Sequence, residues 1–245
     1  MEEIKLVAET ITKVGALPLT NTLLVSWITS VLIIIFSLIA TRKIALVPSG
    51  LQNFVEMIIE TGYTQTEELA HTKAKVIFPI VMTFFLFIVT ANWLGLLPGF
   101  GTIGFHRLEN EKEVFIPFLR SINSDLNMTL SLALISAVAT HILAIKYLGI
   151  VDYLKRWVSL NPIFLFVGVL EIVSEFTKIV SLSFRLFGNI FAGEVVLTTV
   201  SSIFAFVIPL PFYFLELVVG FVQAAVFMML TLVFMVLLTE KHSEH

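Results

Sequence analysis

Between Glu171 and Glu194 the chain reads EIVSEFTKIVSLSFRLFGNIFAGE, which sets Arg185 and three carboxylates inside an otherwise apolar run. A guanidinium does not deprotonate in a protein, and at the bilayer centre it costs about 2.5–3.5 kcal/mol on insertion scales. Ionisable groups in such segments mark ion or substrate paths. At ~100° per residue, Glu171, Ser174, Glu175, Lys178, Ser181, Arg185 and Asn189 share an arc of about 120°, opposite a face of Ile, Val, Leu and Phe. The stripe is expected to face a water-filled cavity or an ion path. A solvated surface helix is the weaker reading, because Leu182, Phe184, Leu186 and Phe187 crowd Arg185 and interfacial helices carry more charge.

A narrower stripe, Glu216, Gly220, Gln223, Phe227 and Thr231, marks the last apolar segment. Two helices that each carry polar groups are expected to meet along those stripes. Glu194 and Glu216, both near the turn residues Pro209 and Pro211, would then share one aqueous pocket suited to a proton relay. The alternative for Glu216 is a carboxylate snorkelling at the interface. His141 stands alone in the third apolar segment, as a structural or a channel-lining group; His71, His106, His242 and His245 fall in polar segments and read as solvated.

Other chemistries find no footing. Gly99, Gly101 and Gly104 match G-x-G-x-x-G, with Asp125 about 20 residues on, but the motif follows an apolar span rather than a strand and opens no helix. There is no phosphate-loop Gly-Lys, no G-x-S-x-G and no H-E-x-x-H. Without cysteine, disulfides and thiolate sites are excluded. The balance of −3 offers no basic field for nucleic acid, and no cofactor or metal is expected.

The elements that position these residues follow from hydropathy. Of 245 residues 58% are apolar and 13% charged, against about 45–50% and about 25% in a soluble domain. The fold class is all-α and polytopic. Spans are expected over 20–41, 76–97 and 126–148, the second with Pro79 in its first turn. A surface amphipathic helix over 48–62, capped by Ser49, carries Leu51, Phe54, Val55, Ile58 and Ile59 at helical spacing and ends at Gly62. The segment from Gly99 to Asp125, with Arg107, Glu109, Glu111, Lys112, Glu113, Arg120 and Asp125, reads as an exposed loop, with Val114–Leu119 dipping towards the interface. From Pro162 the apolar pattern runs about 45 residues, roughly twice a 30 Å hydrocarbon core, so 162–238 is expected to be a tilted helical hairpin.

Residues 1–19 lack the basic n-region of a cleaved signal peptide and read as an external arm. Eight Lys and Arg lie in 41–77, 146–158 and the tail 239–245, and five in the N-terminal arm and the 98–125 loop. That bias places the N-terminus outside and the C-terminus in the cytoplasm.

The segment SLSFRLFGNIFAGE, Ser181 to Glu194, resembles the signature of subunit a of the F-type ATP synthase, the membrane stator that faces the rotating ring of c subunits. LEIVSEFTK, NWLGLLPG, SDLNMTLSLAL and VQAAVFMMLTLVF resemble that family in the same order, from Pro48 to Leu238. The resemblance implies that Arg185 is the stator arginine that meets the carboxylate of each passing c subunit. It implies an outer half-channel of Asn189, Glu194, Glu216 and Gln223, with Gln223 close to Arg185, and an inner one of Glu171, Ser174 and Glu175. It also implies no catalytic site in this chain, and as partners the c ring, the subunit b peripheral stalk and the rest of the synthase in a bacterial inner membrane. Where this chain has Glu216, some members carry histidine, so two carboxylates face each other here. The rival reading, a self-contained secondary transporter with Arg185 as substrate anchor, predicts two related halves, and no repeat links 20–148 to 162–240. An intramembrane hydrolase lacks a nucleophile with a placed partner.

Overall fold

The hydroxyl of Thr20 accepts from the Leu23 amide and caps α1, Asn21–Thr41, the first apolar helix. The computed structural model describes residues 8–14, 17–42, 44–45, 47, 50–109, 112–157, 162–203 and 207–240. Among them follow α2, Leu51–Ala70, α3, Ala74–Gly95, α4, Leu126–Leu148, and the short α5, Ile150–Trp157. The chain closes with α6, Pro162–Ile203, and α7, Pro209–Thr239. Five segments among the described residues are long and apolar enough to cross a membrane: α1, α2 continued into α3, α4, α6 and α7. The protein is an all-α, multi-pass membrane protein.

Two antiparallel hairpins sit beside the helices: β1, Thr10–Val14, with β2, Leu17–Thr20, and β3, Gly104–Glu109, with β4, Lys112–Pro117. Arg107 joins them by donating to the carbonyls of Thr10 and Ile11, at 3.0 and 2.8 Å. The expected exposed loop is therefore in part a structured cap. Arg120 and Asp125 are 6% and 2% exposed. Asp125 accepts from the Thr22 hydroxyl at 3.0 Å and from the Asn127 amide at 3.0 Å, so one carboxylate caps α4 and ties it to α1. A charged residue is buried when its lone pairs are satisfied in this way.

Other boundaries shift for local reasons. Gly62 does not end the second helix; it lies buried inside α2, where an added Cβ would meet the Met82 sulfur at 3.2 Å, and its bareness lets α2 pack on α3. His71, at φ 46, turns the chain through a single 3-10 turn into α3. Because α3 starts at Ala74, Pro79 lies inside the helix rather than in its first turn. Asp152 and Lys155, which follow Gly149, fall on the amphipathic α5. The cap expected of Ser49, the break at Pro48, and His242 and His245 lie outside the described residues.

The core lies where α3 and α7 pack together, with Ile77, Val81, Leu232 and Met235 at one end and Ile88, Leu186, Ala224 and Phe227 at the other. At the C-terminus of α7, the Lys73 ammonium donates to the Thr239 carbonyl at 2.8 Å and lies 5.4 Å from the centre of the Tyr147 ring. It thus clamps the ends of three helices and satisfies a terminal carbonyl. Outward faces such as Val31, Ile34, Ile35 and Leu38 of α1 are exposed and apolar, as lipid contact requires.

Replacing Asp125 with alanine removes a helix cap and the partner of a buried hydroxyl. The expected loss is about 1–3 kcal/mol, read as a lower unfolding midpoint of the detergent-solubilised protein; Thr22→Val, which gives up one of the two bonds, should lower it less.

Candidate functional site

The 42 residues of α6 would span about 63 Å, too long for an upright crossing, and no proline interrupts the helix after its first residue. Its buried face is Leu182, Ser183, Leu186, Phe187 and Ile190. Ser183 fixes the helix rotation through a 3.2 Å hydroxyl contact with Thr129 of α4. With that face turned inwards, Ser181, Phe184, Arg185, Gly188 and Asn189 are turned out and exposed. The Asn189 amide donates back to the Arg185 carbonyl at 2.9 Å. At Gly188 an added Cβ would meet open space.

Arg185 lines a cavity of about 380 Å³ together with Ser174, Lys178, Ser181 and, from α7, Leu230 and Phe234. Of the expected stripe, Ser174, Lys178, Ser181 and Arg185 line this hollow, and Glu171, Glu175 and Asn189 do not. Lys178 is neutralised: its ammonium lies 2.6 Å from the Glu175 carboxylate and 5.1 Å from the centre of the Phe234 ring. Among the described residues no hydrogen bond or ion pair engages the Arg185 guanidinium, so the cavity carries an unbalanced permanent cation.

The second stripe behaves differently from expectation. Thr231 pairs with Ser136 of α4 at 2.9 Å, and the Gly220 carbonyl accepts from Asn92 of α3 at 2.8 Å. Asn92 in turn accepts from Asn123 at 2.7 Å. The α7 stripe is therefore spent largely on α3 and α4, where hydroxyl and amide groups satisfy one another inside the bundle. It meets α6 at Glu216, which is 8% exposed and lies so close to Gly193 that a Cβ there would collide with its carboxylate. Glu194 is the next residue of α6 after that contact. Each of the two carboxylates has one buried oxygen without a hydrogen-bond partner among the described residues.

Of the remaining expected residues, Glu171 is half-buried and engaged, and Ser174 is exposed on the cavity wall. Gln223 is half-buried, and among the described residues no hydrogen bond joins it to Arg185. For His141, read in the sequence as a structural or a channel-lining group, the partners left no signal. His141 of α4 faces Glu175 at 3.9 Å and contacts the Tyr153 hydroxyl of α5 at 3.0 Å, an arrangement that needs three helices to meet and leaves no spacing signal.

The family model described as "ATP synthase A chain" matches residues 23–236, a stretch that includes every candidate residue named above. The chain belongs to the ATP synthase A chain family. Among its relatives, ATP synthase subunit a of Geobacter sulfurreducens is 35% identical over 213 residues, 85% of this chain and 83% of that protein. Subunit a of Trichlorobacter lovleyi is 32% identical over 218 residues, 87% and 85% of the two chains. That of Moorella thermoacetica is 31% identical over 222 residues, 90% and 91%. A-chain membership and the five apolar crossings agree on a membrane subunit whose unusual feature is the open, charged face of α6.

The absence of native cysteine makes that face testable. With the protein in lipid vesicles, Ser181→Cys and Asn189→Cys are expected to react with a water-soluble thiol reagent, and Leu186→Cys to stay unlabelled. Protection of all three positions would mean that the Arg185 face looks into lipid.

Proposed function

We propose that the chain is the stator subunit of the Fo motor, carrying protons to and from a ring of c subunits by two offset half-channels separated by Arg185. The observation that carries this reading is the unbalanced guanidinium on an exposed helix face at the edge of a largely apolar cavity. An arginine there needs an anion from another chain, and we assign that part to an ionised carboxylate on a c subunit.

The chemistry follows from charge. Arg185 favours the ionised form of an approaching carboxylate, so the proton leaves on one side, and it repels a proton that would pass directly between the half-channels. Each half-channel reaches only the ring, so net flow requires rotation. Glu194 and Glu216, with Asn189 and Gln223, form the outer route; the two unpartnered buried oxygens support it, since each needs a donor and a proton or water held between the carboxylates provides one. Glu171, Ser174 and Glu175 form the inner route, and Ser174 on the cavity wall supports that assignment. The N-terminus is outside and the C-terminus cytoplasmic, so α5 lies on the cytoplasmic side. The subunit b stalk holds the chain against the ring, and ATP chemistry resides elsewhere in the complex.

Arg185→Lys keeps the charge but loses the planar fork and the fixed protonation. It is expected to abolish proton-coupled ATP synthesis while the variant still assembles, as judged by co-purification; normal coupling would refute the mechanism. Cysteines along the 178–189 face should cross-link to a c subunit, whereas cysteines on the buried face of α6 should not.

A further inference from the structure

The polar stripe of α6 does not end at the cavity. Lys178, on the cavity wall, is paired with Glu175 at 2.6 Å. The second oxygen of Glu175 faces His141 Nε2 at 3.9 Å, and His141 Nδ1 lies 3.0 Å from the Tyr153 hydroxyl. Four groups from three helices therefore run in sequence from the hollow beside Arg185 to α5, the short amphipathic helix after Gly149. Glu175 is more buried than its two neighbours in that sequence, its side chain 14% exposed between Lys178 at 27% and His141 at 28%. Tyr153 and Trp157 pack their rings around His141, at 6.1 and 6.0 Å between centres, and hold its plane.

We propose that His141 is the group through which Glu175 exchanges protons with water on the α5 side, with Tyr153 as its positioning residue. This rests on the reading of Ser174 and Glu175 as part of a proton route, and it names the group at which that route meets water. Imidazole suits the position, because its two nitrogens open onto different surroundings and each can carry a proton. Doubly protonated, the ring presents Nε2–H to the Glu175 carboxylate and donates from Nδ1 to Tyr153. One proton enters at one nitrogen and one leaves at the other. Outward, Glu175 gives its acidic proton to Nε2 and the Nδ1 proton passes to water beside the Tyr153 hydroxyl; inward, both transfers reverse. The starting tautomer returns when Nδ1 regains a proton from that water while the Nε2 proton is released to a second water on the same side, an exchange that moves no net proton along the route. The 3.9 Å gap to Glu175 is closed by one water or by a small swing of the carboxylate. Charges on the helices that meet at the ring include Glu175 and Lys178 of α6, and Asp152 and Lys155 of α5, the latter two paired at 3.6 Å.

The test uses the assembled synthase in inverted membrane vesicles, with ATP-driven proton pumping and passive proton conduction as readouts. His141→Ala is expected to slow both by about tenfold, less than the ~10²–10⁴-fold typical of a positioned acid–base group because water offers a parallel path. Added imidazole, which fits the space the side chain leaves, should restore much of the loss. Tyr153→Phe should slow conduction by a smaller factor that imidazole does not relieve. Wild-type conduction in His141→Ala, or a loss that imidazole leaves untouched, overturns the proposal. Arg185→Lys in the same vesicles separates the two levels: if it still couples normally, the proton-route reading itself fails, and if it is inactive while His141→Ala conducts normally, only the role of His141 falls.

Discussion

A permanent charge that its own chain does not neutralise is the constraint on which this molecule is organised. Lysine in an apolar setting can shed its proton and the nearby Lys178 has a carboxylate at 2.6 Å, but Arg185 has neither escape. Its retention requires that the surrounding helix be held firmly enough to keep the guanidinium at an open face. Otherwise the side chain would snorkel to the interface. The rest of the fold can be understood as that support.

The support is built from small polar contacts inside the bundle. Ser183 on Thr129, Thr231 on Ser136 and Asn92 on the Gly220 carbonyl each fix the rotation of one helix against another. Individually such bonds contribute about 0.6 kcal/mol in a membrane bundle, but being directional they define which face of α6 looks outwards. At the ends, Asp125 and Lys73 do the same for helix termini, where unpaired backbone groups would be costly in apolar surroundings. Hydrophobic packing between α3 and α7 fills the centre without selecting a rotation.

Much of this was legible in the sequence because the bilayer imposes length and periodicity. The span expected over 126–148 is the helix Leu126–Leu148, and the long C-terminal run does divide near Pro209. Helical spacing alone put Ser174, Lys178, Ser181 and Arg185 on one wall. Periodicity identifies a face, however, and not the neighbour it meets. Thr231 and Gly220 were therefore assigned to α6 when they contact α4 and α3. The buried Arg120 and Asp125 were misread for a related reason: charge predicts exposure unless a partner distant in sequence, here Thr22, completes the hydrogen bonding. His141 and Glu175 come together only through the packing of α4 on α6, which no local pattern encodes.

Gly188 has a meaning that its own chain does not explain. A glycine in a helix interior costs about 1 kcal/mol relative to alanine, and most helical glycines are kept because a neighbour leaves no room for a methyl group. At Gly193 that neighbour is the Glu216 carboxylate; at Gly188, one turn of helix beyond Phe184 and beside Arg185, there is open space. The shallow notch it leaves gives no benefit to the isolated subunit. In the proposed stator role it acts as clearance, a gap one methyl deep that lets the charge beside it be approached closely and then left behind.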